Sequence, residues 1–182
     1  EDIVNLATKR KDNLGVAYTY NEPTIFLEYA WDTMKMAQAE NISNVWVSNG
    51  YMSSQTLDMI LPQLDAANID LKSFREEFYK QYVGAQLEPI LNNCKRLKQE
   101  GVWLEVTTLI IPGLIDDEEM LRELAEFIRR ELGKDVPWHI SAFSGAISWK
   151  LKQVPDTPVE TLKRVKRIGN EVGLEYVYMG NI

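Results

Sequence analysis

Polar side chains that can carry out chemistry interrupt the apolar runs of this sequence at regular intervals. A carboxylate such as Glu22 can accept hydrogen bonds from an ammonium group, and a lysine amine such as that of Lys72 could form a Schiff base if it were desolvated. His139, the only histidine, could exchange protons near neutral pH. The polar candidates all lie near the end of a β-rich run, and they are Asn21-Glu22, Ser48-Asn49, Asp70 and Lys72, Thr107 and Thr108, His139 and Ser141, and Asn181.

Six β-rich runs alternate with five segments of helical periodicity. The runs are bounded by Gly, Pro or Asn and cover residues 15–20, 44–48, 67–71, 102–111, 138–143 and 175–179. The helical segments are 23–40, 53–64, 87–100, 116–132 and 158–172. This alternation predicts an α/β fold with a parallel sheet and right-handed crossovers. Because ligands bind at the carboxyl ends of the strands in such folds, the polar candidates predict one shared site.

The length of the chain limits the architecture. A complete eight-unit (β/α) barrel typically needs about 250 residues. Six units in 182 residues therefore predict an open or partial TIM-like barrel that forms one domain over residues 1–182. A doubly wound sheet is the alternative that periodicity leaves open.

Each polar candidate also has a purely structural interpretation. Glu22 precedes Pro23 and could be an acid at the N-terminus of the next helix, where the helix dipole favours a negative charge. Asp70 and Lys72 lie two residues apart in a strand, so they share a face and could form an ion pair. A single histidine in a strand, such as His139, is often a hydrogen-bonded core residue. The functional interpretation is favoured for the set as a whole and not for any one member.

Composition excludes several classes of protein. A formal net charge of −7 without a dense Lys/Arg block argues against binding to nucleic acid or to an anionic membrane. No apolar run is long enough to span a bilayer, and the first residues do not resemble a signal peptide. The single cysteine, Cys94, cannot form an internal disulfide, which favours a reducing, cytoplasmic location. No metal-ligand spacing is present, so no metal ligand is predicted in this chain.

Residues 16–24 (VAYTYNEPT) closely resemble the second-strand motif of radical S-adenosylmethionine (SAM) enzymes. More narrowly, the string resembles the AmmeMemoRadiSam group, which is related to the pyruvate formate-lyase activating enzymes. The similarity continues in the order of the family and spans nearly the whole chain. It includes residues 47–51 (VSNGY), 65–72 (DAANIDLK), 79, 84–85, 105–113 (EVTTLIIPG), 138–141 (WHIS) and 176–181 (YVYMGN).

This resemblance implies a function. Members of the family use a [4Fe-4S] cluster to cleave SAM reductively to a 5′-deoxyadenosyl radical, and activating enzymes direct that radical at a glycine of a partner protein. SAM, a protein substrate of the glycyl-radical type and an electron donor are thus the implied partners. The residues that match SAM-contacting positions of the family are Asn21, Glu22 and Pro23 for the amino group, Ser48 and Asn49 on the next strand, Asp70 and Lys72 in a DLK segment, and His139 near the ribose.

The sequence also departs from the family. The CxxxCxxC motif is absent, and Cys94 alone cannot hold an iron–sulfur cluster. In the family that motif follows the first strand, so we expect it upstream of this chain, with residues 1–13 as the helix after the missing strand. We therefore predict a piece of a radical SAM oxidoreductase that binds no cluster and is inactive by itself. Its catalytic residue is left unassigned, and residues 144–153 do not fit the family.

Removal of the first unit has a further consequence for the sheet. The edge of the strand at residues 15–20 would be unpaired, and exposed strand edges pair readily with other chains. We expect the chain to self-associate through this edge or to cover it with residues 1–13.

Two other functions stay open at this stage. The first is an aldolase-like barrel in which Lys72 forms a Schiff base with a carbonyl substrate. The second is a non-catalytic interaction module that has kept the barrel and lost its chemistry. A CxxxCxxC motif upstream of Glu1 would favour the radical SAM enzyme over both.

Overall fold

A computed structural model describes residues 1–10 and 12–182 of the chain. The strands are β1 (Gly15–Tyr18), β2 (Ser43–Ser48), β3 (Ala66–Asp70), β4 (Trp103–Ile110), β5 (Trp138–Ala142) and β6 (Val177–Gly180). The helices are α1 (Asp2–Lys9), α2 (Leu27–Ala39), α3 (Ser54–Ile60), α4 (Glu76–Phe78), α5 (Leu87–Gln99), α6 (Glu118–Phe127) and α7 (Val159–Val172). Short 3₁₀ turns occur at Pro23–Phe26, Leu61–Gln63 and Gly145–Ile147, and π turns at Tyr79–Val83 and Ile128–Leu132.

The six strands form one sheet in the order β1-β2-β3-β4-β5-β6. This sequential order is the winding of a (β/α) barrel, whereas a doubly wound sheet reverses its strand order at a switch point. The predicted α/β class, with a parallel sheet built like a partial TIM-like barrel, is confirmed, and the doubly wound alternative is wrong. Among the described residues, no helix is both long enough and apolar enough to cross a membrane.

The chain divides into two compact units. The first unit comprises Glu1–Ile69 and Pro89–Leu104. Within it, β2 pairs in parallel with both β1 and β3, with Tyr18 opposite Trp46 and Ser48 opposite Ile69. Alternate residues of β2 are buried, which is the two-residue period expected of a strand with one face against helices.

The second unit comprises Asp70–Glu88 and Glu105–Ile182. Within it, β5 pairs in parallel with β4 and β6, so that His139 lies opposite Thr107 on one side and Tyr178 on the other. The alternate residues Trp138 and Ile140 are fully buried. The prediction of one domain over residues 1–182 stays a prediction.

The helix predicted near the N-terminus is present as α1. Val4 of this helix packs against Ala37 and Ile42, with Ala7 and Val16 beside them. Lys11, which belongs to the predicted 1–13 segment, lies outside the described residues. The apolar face of α1 is thus directed at α2 and at the start of β1 within the first unit.

The elements differ from the prediction in three places. Tyr20, predicted to end β1, lies outside that strand and has a left-handed backbone with φ of 42°. The segment that starts at Pro23 opens with a 3₁₀ turn before α2, which is a common way for an α-helix to begin. The short helix α4 and the π turn that continues it at Tyr79–Val83 were not predicted.

Candidate functional site

The carboxylate of Glu22 is the centre of a hydrogen-bond network in the first unit. Its Oε1 accepts from the backbone N–H of Thr24 at 3.2 Å, from Oγ1 of Thr24 at 2.7 Å and from Oγ of Ser48 at 2.7 Å. Its Oε2 accepts from the backbone N–H of Asn49 at 2.8 Å. The network joins the loop after β1 to the loop after β2, which lie 27 residues apart in sequence.

The structural interpretation of Glu22 is confirmed, because the side chain caps the 3₁₀ turn at Pro23–Phe26. The cap does not use all of the hydrogen-bonding capacity of the carboxylate. Each carboxylate oxygen has about two lone-pair sites, and Oε2 receives one donor, from Asn49, whereas Oε1 receives three. Glu22 is half-buried, and its Oε2 keeps one lone-pair site that could accept a hydrogen bond from an ammonium group.

The neighbouring candidates Asn21 and Pro23 have different environments. Asn21 is exposed, whereas Pro23 is buried at the first position of the 3₁₀ turn. Asn21 is thus accessible to a ligand, and Pro23 fixes the backbone that carries Glu22.

Ser48 is the last residue of β2, and the loop after it, residues 49–52, is closed by short-range bonds that include Ser48. Oγ of Ser48 accepts from the N–H of Gly50 at 3.0 Å, and Oδ1 of Asn49 accepts from the N–H of Tyr51 at 2.8 Å. Asn93 of α5 donates from Nδ2 to the carbonyls of Gly50 and Met52, both at 2.9 Å. Ser48 and Asn49 are therefore held in one defined arrangement beside Glu22.

In the second unit, Asp70 and Lys72 form the ion pair that their spacing predicts. Nζ of Lys72 lies 2.8 Å from Oδ2 of Asp70, and both side chains are more than one-third exposed. The backbone N–H of Lys72 donates to the hydroxyl of Tyr79 at 3.0 Å, which ties this segment to the fully buried ring of the π turn.

His139 is part of a half-buried row on β4, β5 and β6. Its Nε2 lies 2.8 Å from Oε2 of Glu105, and its ring stacks on Tyr178 with ring centroids 5.4 Å apart. The nearby Thr108 is fully buried, donates to the carbonyl of Leu71 and accepts from the indole of Trp138. Thr108 is therefore a core residue, and His139 belongs to the accessible side of the strand.

The described residues do not fit an iron–sulfur cluster. No group of three or more His, Cys, Asp or Glu residues within positions 1–10 and 12–182 could hold a metal ion. Cys94, on α5, is fully buried, and burial raises the pKa of its thiol to about 12. A cluster needs several thiolates, so no cluster step is assigned to this chain.

The first finding from comparison with known proteins is the family. The model of the radical SAM superfamily matches residues 1–128. The chain belongs to the radical SAM superfamily.

Two individual proteins are similar to this chain over most of its length. The chain is 41% identical over 182 residues to an uncharacterised protein of Methanocaldococcus jannaschii, covering all of this chain and 53% of that protein. It is 26% identical over 179 residues to the pyruvate formate-lyase 1-activating enzyme of Escherichia coli K12, covering 90% of this chain and 71% of the enzyme. The chain thus spans about half the length of its archaeal relative.

A solved structure supports the fold. A domain of a pyruvate formate-lyase-activating enzyme from Bacteroides vulgatus superposes with a TM-score of 0.78 at 19% identity, covering 92% of this chain and 99% of that domain. The predicted resemblance to activating enzymes of the radical SAM superfamily is confirmed.

Thr24, Asn93 and Glu105 take part in these contacts and were not predicted as site residues. Thr24 directly follows the NEP string, so capping chemistry could have identified it as a donor to Glu22. Glu105 and His139 share no local pattern, and only the strand register brings them together. Asn93 lies on a helix more than 40 residues from the loop it binds, and no sequence signal indicates that contact.

Proposed function

We propose that this chain carries the SAM-binding part of a radical SAM enzyme of the activating-enzyme type. One observation supports the proposal most strongly: the Glu22 carboxylate bonds directly to Ser48 and to the backbone of Asn49. These are the two sequence segments that resemble successive SAM-contacting strands of the family. A shared network between them is the arrangement expected of one binding site.

In this proposal the chain's own residues bind and orient SAM. Oε2 of Glu22 accepts a charge-assisted hydrogen bond from the methionyl ammonium, and Asn21 offers an exposed amide beside it. Contacts from Pro23, Ser48, Asn49, Asp70, Lys72 and His139 to SAM are part of the same proposal. SAM, when bound, would supply a 5′-deoxyadenosyl radical: one electron from the donor would break its C5′–S bond, methionine would leave, and the radical would take a hydrogen atom from the substrate.

The [4Fe-4S] cluster is proposed to be held by cysteines outside this sequence. The support is chemical, because one buried thiol cannot replace several thiolates. The length comparison is compatible with this, since the archaeal relative is nearly twice as long as the chain. The chain by itself is expected to bind no cluster and to leave SAM uncleaved.

The partners in this proposal are a protein substrate of the glycyl-radical type and a one-electron donor, both in the cytoplasm. Similarity to an enzyme that activates pyruvate formate-lyase supports a protein substrate. The net charge of −7 gives no support for a nucleic-acid partner.

The test is SAM cleavage by the full-length protein. After anaerobic reconstitution with iron and sulfide and reduction with dithionite, 5′-deoxyadenosine should form in wild type. Cys94→Ala is the matched control and should keep both the iron content and the product, because this thiol is buried and is not a ligand. A reconstituted wild type that holds its cluster and yields no 5′-deoxyadenosine would refute the proposal.

The aldolase-like alternative has weaker support. A Schiff-base lysine is activated by an apolar pocket or by a neighbouring cation, whereas Lys72 is partly exposed and pairs with a carboxylate. We expect borohydride to trap no pyruvate on Lys72, as measured by intact mass. A non-catalytic interaction module would retain the Glu22 network and show no SAM binding, which the cleavage assay and SAM titration would reveal.

A further inference from the structure

We propose that Asn93 is a positioning residue that holds the SAM-binding loop from α5. The inference rests on the proposed function and extends it to a helix outside the motifs that resemble SAM-contacting strands. Asn93 acts through the loop and touches neither Glu22 nor, in this proposal, SAM.

The contact is direct and buried. Nδ2 of Asn93 donates to the carbonyls of both Gly50 and Met52 at 2.9 Å, and Asn93 is only 9% exposed. One amide group thus fixes two carbonyls on either side of Tyr51. Water has little access to this position, so loss of the donors would leave buried carbonyls without those partners.

The loop that Asn93 holds is bonded to the carboxylate of Glu22. The N–H of Gly50 donates to Oγ of Ser48, which itself donates to Oε1 of Glu22 at 2.7 Å. The N–H of Asn49 donates to Oε2 of the same carboxylate at 2.8 Å. A displacement of Gly50 would therefore move the two donors that Ser48 and Asn49 supply to Glu22, whereas the two from Thr24 would stay in place.

Packing supports the same role for α5. Ile90 lies one turn before Asn93 on the same helix face. A Cβ placed on Gly50 would come within 3.0 Å of Cγ2 of Ile90 and 2.7 Å of Cγ2 of Ile69. The loop therefore rests against apolar side chains, and Asn93 supplies the hydrogen bonds that fix its register on them.

The experiment is SAM titration into the full-length, reconstituted protein. Asn93→Leu keeps the branched shape and the number of side-chain heavy atoms, with somewhat larger methyl groups, and removes both donors. The matched control is Leu97→Ala, which removes a fully buried side chain one turn further along α5 without removing a hydrogen bond. Melting temperature is measured for both, and Asn93→Ala replaces the leucine variant if that variant does not fold.

We expect Asn93→Leu to weaken SAM binding by about tenfold, which corresponds to about 1.4 kcal/mol. Leu97→Ala should lower the melting temperature and leave the SAM dissociation constant within about twofold of wild type. The two variants would thus differ in SAM affinity, and this difference separates the positioning of the loop from the general stability of the helix.

The inference is overturned if SAM affinity is unchanged in Asn93→Leu or weakens equally in Leu97→Ala while wild type still binds SAM. In both cases the proposed function stands. Absence of SAM binding by cluster-loaded wild type overturns both proposals and is recognised from the wild-type titration alone.

Discussion

The carboxylate of Glu22 caps a turn through one oxygen, and its other oxygen accepts a single hydrogen bond within the described residues. Its Oε1 accepts the capping bond from the N–H of Thr24, and two further bonds from the hydroxyls of Thr24 and Ser48. Its Oε2 accepts one, from Asn49. The sequence alone presents capping and ligand binding by Glu22 as alternatives. The two roles are compatible, because capping uses Oε1 and the proposed bond to a ligand would use Oε2.

Cys94 gives a prediction at the same scale. Because burial raises the pKa of its thiol from 9.0 to about 12, native protein at pH 8 should react very slowly with iodoacetamide. The same protein in denaturant should react at the rate of a free thiol, which serves as the control. Rapid labelling of the native state, followed by mass spectrometry, would contradict the burial of this residue.

The same thiol predicts a pH dependence of stability. The pKa in the folded state is raised, so the contribution of Cys94 is fully present below about pH 9 and is lost as pH rises toward 12. Cys94→Ala removes this group. The free energy of unfolding should therefore fall less steeply above pH 9 in Cys94→Ala than in wild type, measured by urea unfolding. Identical slopes would count against a raised pKa.

At the scale of elements, the strands were predicted to within three residues, whereas one helix was missed. The segment Glu76–Phe78 and the π turn Tyr79–Val83 are too short for helical periodicity to register. Their buried member, Tyr79, bonds to the backbone of Lys72. A periodic sequence pattern identifies long helices and strands. It does not identify a short helix or turn that a tertiary contact stabilises.

The loop after β2 gives a prediction about backbone and packing together. Gly50 and Gly101 have similar left-handed φ angles, 73° and 81°. A Cβ at Gly50 would meet Ile69 and Ile90, whereas a Cβ at Gly101 would have no atom within 4 Å. Gly101→Ala should therefore cost only the backbone term, about 1 kcal/mol. Gly50→Ala should cost about 1–3 kcal/mol more, because overpacking is added.

Urea unfolding of the two glycine variants measures this difference. The Gly101 variant isolates the backbone conformation, so the difference between the variants reports on the contact between the loop and its neighbours. Equal losses of stability would mean that the loop does not rest against Ile69 and Ile90.

For the whole molecule, regular alternation of strands and helices was sufficient to predict the α/β class. Strand order was not predictable from periodicity, because sequential and doubly wound sheets share the same alternation. The sequence motifs predict that Glu22, Ser48 and Asn49 belong to one site, and hydrogen bonds join these three residues. Asn93, the donor on α5 that holds the loop, was not predicted, because a contact between a helix and a distant loop leaves no local signature in the sequence.

The edge of the sheet gives a prediction about association. In the described part of the chain, β1 lies at one edge of the sheet and pairs with β2, and its exposed Ala17 lies inside the strand. We expect this 182-residue chain either to self-associate through β1 or to cover that edge with its N-terminal segment, as measured by sedimentation velocity and amide exchange. If it self-associates, Ala17→Lys places a charged side chain on the edge strand and should shift the chain toward monomer. A wild-type chain that is monomeric at all concentrations and exchanges the amides of β1 rapidly would contradict this.

The central claim is that Glu22 binds the amino group of SAM, and SAM titration into the full-length, reconstituted protein tests it most directly. Glu22→Gln removes the charge and places an amide N–H against the N–H of Asn49. Thr24→Val removes one bond to Oε1 and keeps the charge, so it serves as the matched control.

Both variants should lower the melting temperature. Only Glu22→Gln should weaken SAM binding, by about tenfold or more, because a charge-assisted hydrogen bond contributes about 1.5–3 kcal/mol. Equal dissociation constants in wild type and Glu22→Gln, with intact clusters in both, would contradict the account.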